Sequence, residues 1–283
     1  MKPLHLLQGV LVAVIWGLSF VASKIGLEYF SPPQLAALRF LIASVPACFL
    51  ARPPVSWPVL IALGLTLFAG QFLLLFFGIA HGMPPGLASV AAQTQAFFTV
   101  LLAAAALGET PSLRQSAGMA AAFAGLGMIA STEGHDLTLV GLGLTLGGAV
   151  SWAVGNVLLK RIGSVEMLNL IVWLSVVPPL PSLALSFVLD GPAALPHAVQ
   201  HASVLGVGAV LYLGLVATIL AYAMWGNLLR QYPAATVVPF ALLVPFVGSF
   251  SSAMAFGEQF GPLRLTGMGF VLLGLAIIVL PQH

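Results

Sequence analysis

The chain has 283 residues, 60% of them hydrophobic, and its 9 Lys or Arg and 7 Asp or Glu make up only 6% of the sequence, against about 25% in soluble proteins. So few charges cannot cover the surface of a water-soluble domain of this size, and a single cysteine, Cys48, rules out an intrachain disulfide or a thiolate metal cluster. The net charge of +2 is scattered without a basic run, which argues against nucleic acid or acidic polymers as partners.

Pro, Gly and the few charges divide the chain into ten apolar stretches: Leu4 to Leu27, Pro33 to Ala51, Trp57 to Ala80, Pro85 to Leu107, Leu113 to Ala130, Thr138 to Lys160, Met167 to Leu189, Ala202 to Leu229, Ala234 to Phe256 and Pro262 to Leu280. Each is near the roughly 20 residues needed to cross a bilayer. Uniformly apolar stretches of this length predict helices, because barrel strands alternate over about ten residues. The first stretch, between Lys2 and Lys24, is too long for a signal-peptide core and has no small-x-small cleavage pattern. It is expected to be a retained span. With the N-terminus in the cytoplasm, Lys2, Arg52, Arg114, Lys160, Arg161 and Arg230 fall inside, and Lys24 and Arg264 fall outside. That bias predicts both termini inside.

In the first span, Trp16, Phe20 and Lys24 recur every four residues, with Ser19 and Ser23 beside them. The second span contains Arg39, the one charge well inside an apolar stretch, and burying it costs at least about 2.5 kcal/mol. It is expected to hold a carboxylate, to cap carbonyls of a neighbouring helix or to snorkel outward. Gln71, Gln93 and Gln95 are mid-span amides that must turn away from lipid. On a regular helix Gln93 and Gln95 are about 200° apart, so only one, preferably Gln93, is expected at a cavity. Trp152, Asn156 and Lys160 repeat the polar-aromatic stripe in the sixth span. Gly143, Gly147, Ser151 and Gly155 form a small-residue ridge beside it, suited to close helix packing. Pro178, Pro179 and Pro181 predict a kink in the seventh span, and Pro239 with Pro245 one in the ninth. The eighth span offers Gly214, Thr218, Tyr222 and Gly226 at spacing four, with Trp225 close by.

The chain also repeats itself. A shift of 149 places Pro84 on Pro233, Phe97 on Phe246, Gly108-Glu109 on Gly257-Glu258, Gly118-Met119 on Gly267-Met268 and Gly125 on Gly274. A shift of 136 places Trp16 on Trp152 and Lys24 on Lys160. Two units, residues 1–134 and 135–283, are expected. Five spans in each make the second unit enter the membrane inverted, an arrangement suited to rocking about a shared midplane site.

Ile15-Trp16-Gly17-Leu18-Ser19-Phe20 with Lys24, Leu38-Arg39-Phe40, and Leu107-Gly108-Glu109 followed by the Gly-rich Gly118 to Met128 resemble the EamA-type branch of the drug/metabolite transporter superfamily. Leu142 to Arg161 and Gly257 to Ile278 look like its second copy. The second half departs from the pattern: Ala153 and Val154 follow Trp152, and the seventh span has no Arg-Phe pair. The resemblance implies a ten-helix exporter of amino acids or related metabolites, with a cavity between its halves.

The substrate-binding candidates are Trp16, Ser19, Phe20, Arg39, Gln71, Gln93, Trp152, Asn156 and Tyr222. Amides, hydroxyls and aromatic faces with one or two cations suit a zwitterionic or neutral amphiphilic solute. A phosphorylated metabolite or nucleotide sugar would call for more cations. No Asp or Glu falls mid-span, so transport down the solute's own gradient without obligatory ion coupling is expected. Intramembrane proteolysis would need a Ser-His pair, two in-span aspartates or a His-Glu-x-x-His motif, and the sequence has none. A membrane scaffold would not require the inverted duplication. No metal or cofactor is expected. The chain is expected to act as a monomer in a bacterial inner membrane, touching lipid and a small-molecule substrate.

Overall fold

The computed structural model describes residues 1–134, 136–162 and 165–279. His135, the expected start of the second unit, and Leu280, the expected end of the last span, lie outside them. Among the described residues every regular element is helical. Eight helices are long and apolar enough to cross a membrane: α1 (Pro3–Leu27), α3 (Trp57–Ala80), α4 (Pro85–Leu107), α6 (Leu139–Leu159), α7 (Met167–Leu189), α8 (Val204–Gln231), α9 (Val238–Phe256) and α10 (Pro262–Val279). The other two expected spans are also helical, but one is shorter and the other less apolar. They are α2 (Pro32–Ser44), which runs on into a 3-10 turn at Val45–Cys48, and α5 (Leu113–Ala130). A short helix, Ala194–His201, precedes α8.

Local chemistry sets the ends. Proline opens α1, α2, α4 and α10, where its missing N–H costs nothing. Ser112 and Gln115 cap one another at the start of α5. α4 and α9 both end on a left-handed glycine, Gly108 and Gly257, each at φ 68°, a conformation glycine enters without a Cβ penalty. The expected proline breaks are present: α7 is interrupted between Leu174 and Pro179, and α9 begins as a 3-10 turn, Val238–Leu242, around Pro239.

Glycine sets the packing. A Cβ on Gly118 would lie 2.8 Å from the carbonyl oxygen of Gly274, and one on Gly267 would lie 2.7 Å from that of Gly125. The reciprocal pairs, Gly274 against Gly118 and Gly125 against Gly267, are as close. α5 and α10 therefore run antiparallel with their backbones in contact. α3 and α6 do the same through Gly78 with Gly141 and Gly148 with Gln71. Of the expected ridge on α6, Gly155 and Ser151 press on α3 at Leu67 and Gly70, but Gly143 faces open space. The backbone-to-backbone approaches use Gly141 and Gly148, which lie beside the ridge on α6.

α1 lies antiparallel to α8, where Tyr212 Oη donates to the Ile15 carbonyl (2.8 Å) and Gln8 Nε2 to that of Met224 (3.0 Å). It runs parallel to α9, with Gly9 against Phe240 and Gly17 against Val247. Arg264, counted on the outer side from the sequence, is buried near the start of α10. It forms two hydrogen bonds to the Asp136 carboxylate, one of 2.8 Å, and two to Thr132 (2.9 and 3.0 Å), which fixes the start of α10 to the α5–α6 connection. Large apolar side chains such as Leu113, Leu180, Val204, Phe250 and Met254 are exposed. For an integral membrane protein, that surface is the one lipid covers.

Candidate functional site

Helices α1, α2, α3, α4, α6, α8 and α9 enclose a cavity of about 250 Å³. Eight of the nine candidate residues line it: Trp16, Ser19, Phe20, Arg39, Gln71, Gln93, Trp152 and Tyr222. Asn156 does not. Its Nδ2 donates to Thr99 Oγ1 at 3.1 Å. Four residues advance a helix by about 40°, so a stripe of that period that faces the cavity at Trp152 has turned toward α4 by Asn156.

Among the described residues Arg39 is the only charged one on the lining, and it is 3% exposed. Its Nε donates to Thr218 Oγ1 at 3.1 Å, and its guanidinium carbon stands 3.9 Å from the Phe72 ring centre and 5.3 Å from that of Phe40. Two aromatic faces and one hydroxyl hold the cation, and no Asp or Glu among the described residues shares the cavity. A buried cation of this kind favours a ligand that brings the anion. Thr218 lies in a π-helical stretch of α8, Tyr212–Leu220, and its hydroxyl donates five residues back to the Leu213 carbonyl at 2.8 Å. Its lone pairs are thereby left for Arg39. Single π turns of this kind recur at functional sites.

Aromatic rings form a second wall. Trp16 lies 5.1 Å from Tyr222 and 5.2 Å from Trp225, centre to centre, and its Nε1 donates to the Ala217 carbonyl at 3.1 Å, which fixes the indole's tilt. The hydroxyls of Ser19 and Ser23 donate to the carbonyls of Trp16 and Ser19 on their own helix, so each keeps acceptor capacity only. Gln93 Nε2 donates to the Ala241 carbonyl of α9 at 3.2 Å. Gln95 lines the cavity too, contrary to expectation. The 200° separation assumes an unbroken α-helix, and a 3-10 turn, Ala92–Thr94, interrupts α4 at that point. Gln71 and Gln95 each keep a buried Oε1 without a hydrogen-bond partner.

Phe72, Leu75, Ser89, Ala92, Ala241 and Val244 also line the cavity. Residues of these types recur throughout the sequence, and no spacing distinguishes them. Ser23 and Trp225 carried a weak signal as neighbours of the stripes. Among the described residues, no three His, Cys, Asp or Glu side chains come together as a metal site.

The cavity is shut at one end. Every residue of Pro85–Ala91 is buried. The Ser89 hydroxyl donates to the Gly86 carbonyl (2.6 Å) and approaches that of Pro245 (3.4 Å), and Ser249 Oγ donates to the Gly86 carbonyl (3.2 Å). The start of α4 is thus sealed to α9. Toward the other end Gln95, Trp152, Tyr222 and Trp225 are partly exposed, and there the cavity opens.

A family model described as the EamA-like transporter family matches the chain twice, over residues 4–131 and 139–280. A protein of Escherichia coli (strain K12) named "Probable amino-acid metabolite efflux pump" is 40% identical over 276 residues, covering 95% of this chain and 92% of that protein. A "Probable terminal-alkyne amino-acid exporter" of Streptantibioticus cattleyicolor is 29% identical over 280 residues, covering 95% and 91%. A crystal structure shares the fold with a TM-score of 0.64 at 20% identity, covering 98% of this chain and 97% of that one.

Proposed function

The chain belongs to the EamA-like transporter family, and from that premise we propose that it exports amino acids or closely related amphiphilic metabolites through the cavity around Arg39. One observation carries the reading: a buried guanidinium with no acid beside it, in a cavity walled by Trp16, Phe72, Trp152 and Tyr222. Arg39 takes the solute's carboxylate, and the aromatic faces take an apolar side chain and, by cation–π attraction, the ammonium group. Gln71, Gln93, Ser19 and Phe20 complete the binding surface. Asn156 supports it from outside by holding α6 to α4.

A phosphorylated metabolite or nucleotide sugar is the poorer fit. One guanidinium is few for phosphate groups, and about 250 Å³ lies below the roughly 300–1,000 Å³ typical of drug-sized ligands.

Alternation of access rests on an inverted duplication of residues 1–134 and 135–283, ten spans in all. Several features support it. The helix pairs α3–α6 and α8–α1 pack antiparallel, and α4–α6 and α9–α1 also pack as matched pairs. The Gly118–Gly274 and Gly125–Gly267 contacts are reciprocal, as a two-fold axis requires. π-helical stretches fall at Gly64–Gly70 and Tyr212–Leu220, and 3-10 turns at Ala92–Thr94 and Val238–Leu242, close to the offset of 149. We place both termini in the cytoplasm of a bacterial cell, from the Lys and Arg bias, and take the monomer as the working unit. With no acid on the cavity wall, solute moves down its own gradient without obligatory ion coupling.

Uptake of labelled amino acids into proteoliposomes tests the proposal. Saturable flux is expected, reduced most in Arg39→Ala, strongly in Trp152→Ala and less in Asn156→Ala. Flux equal to that of protein-free liposomes discards the function. Uphill accumulation that depends on an imposed proton or sodium gradient discards the uncoupled mechanism.

A further inference from the structure

We infer that Glu258 is the latch of the sealed end: its carboxylate fastens the end of α9 to the start of α4, and transport requires it to let go. This role rests on the alternating-access reading above. Glu258 follows Gly257, whose left-handed backbone ends α9 and turns the chain back over α4. One carboxylate oxygen accepts the backbone N–H of Gly86 at 3.1 Å, and the other accepts Ser252 Oγ at 2.6 Å. Gly86 admits this approach because it has no side chain. A Cβ there would lie 2.5 Å from Glu258 Oε2 and 2.7 Å from the Phe260 ring. Directly below, Ser89 and Gly248 are in close contact, so the carboxylate closes the outermost point of a tight α4–α9 crossing.

Glu109 occupies the matching place under the shift of 149. It too follows a left-handed glycine, Gly108 at φ 68°, so both turns deliver a carboxylate in the same way. Among the described residues, Glu109 makes no hydrogen bond to α9. It pairs with Lys160 at 3.0 Å, and both side chains are about half exposed. Lys160 is the repeat counterpart of Lys24, and Lys24 acts on Glu258 electrostatically. Two equivalent acids therefore occupy opposite states. Glu258 holds the partner helix at the sealed end, while Glu109 rests on its own lysine at the open end. When the sealed end opens, Glu258 exchanges Gly86 and Ser252 for Lys24, as Glu109 already has for Lys160. Glu258 is a positioning residue: it touches no solute and acts through the α4–α9 crossing.

The test uses the full chain in membranes, on a Cys48→Ser background that removes its single cysteine. One reporter, Ser23→Cys, lies on the cavity wall near the sealed end; the other, Ala241→Cys, lies on the wall contributed by the start of α9. Each is labelled with a membrane-impermeant maleimide in right-side-out and inside-out vesicles. Loss of two hydrogen bonds to a charged group in Glu258→Ala, or a wedge in Gly86→Ala that leaves the carboxylate in place, is expected to raise labelling of Ser23→Cys from the sealed side about tenfold or more. Labelling of Ala241→Cys from the other side falls. Unchanged labelling overturns the latch, and so does a parallel rise at both reporters, which would mean a loosened fold. No solute is needed, so this result stands apart from success or failure of the uptake assay.

Discussion

At the sealed end of the α4–α9 pair, the start of α4 is fully buried and sewn to α9 by Ser89, Ser249, Ser252 and Glu258. At the open end the rest of α4 is largely half-exposed, and the positions 149 residues before Ser249 and Ser252 are Val100 and Ala103. The hydroxyls that tie one end therefore have no counterpart at the other. Repeated backbone geometry is compatible with two different strengths of closure, because closure depends on a few side chains and access alternates only if neither end is held too firmly. Under the proposed duplication, the reciprocal α5–α10 contact is the symmetric element, and the two ends are free to close with different strength.

The largest effect should come from the reciprocal glycine contact between α5 and α10. Gly125→Leu drives a side chain into the Gly267 backbone, and overpacking there should cost about 3 kcal/mol or more; thermal unfolding in detergent measures it. A small change would mean that α5 and α10 slide freely.

Next comes Arg39→Ala. Loss of a charged hydrogen-bonding partner is worth roughly 1.5–3 kcal/mol, or about a 10–150-fold rise in KM for a solute that keeps its carboxylate. A carboxamide analogue of the same solute should show little further loss. Equal losses for both compounds would remove Arg39 from carboxylate recognition.

The third prediction concerns pH at the sealed end. Burial holds the Glu258 carboxyl above the usual carboxylate range, against the hydrogen bonds from Ser252 and Gly86; the negative charge of Asp136 adds to the rise and Lys24 opposes it. Arg264 faces the same cluster through Asp136. When the latch opens, Glu258 is hydrated beside Lys24 and its pKa falls back toward the ordinary carboxylate range. Because the raised value belongs to the latched state, protonation favours that state. The contribution is complete below the ordinary pKa and is lost as pH rises through the raised one. Labelling of Ser23→Cys from the sealed side should therefore slow on acidification, and Glu258→Gln should flatten the profile. Faster labelling in acid would reverse the assignment.

The smallest effect is expected at the open end. A double-mutant cycle on Glu109 and Lys160 should give about 0.2–1 kcal/mol and shrink in salt, because the pair is half exposed. A much larger coupling would mean that this pair is itself a lock.

Much of the fold was legible in the residues because lipid leaves few choices: apolar runs of 18 to 28 residues must be helices. The glycine repeat was equally legible, since Gly118, Gly125, Gly267 and Gly274 stand at matching offsets. The cavity was legible where a residue is expensive to bury, as at Arg39, Gln71 and Trp152. It was not legible at Phe72 or Ser89, whose types are at home anywhere in a bundle. The four-residue stripe misled at Asn156 through the slow turn of the helix, and the 200° rule failed at Gln95 because the 3-10 turn that breaks α4 has no local signature.

Composition and periodicity by themselves determined that the chain is helical and membrane-embedded, because those properties follow from transfer free energies that add residue by residue. Which end of the cavity is shut, which acid reaches across to α4 and which hydroxyl receives Arg39 were decided only by the tertiary structure. These depend on where helices from different halves cross, and a crossing is set by the shape of two surfaces together.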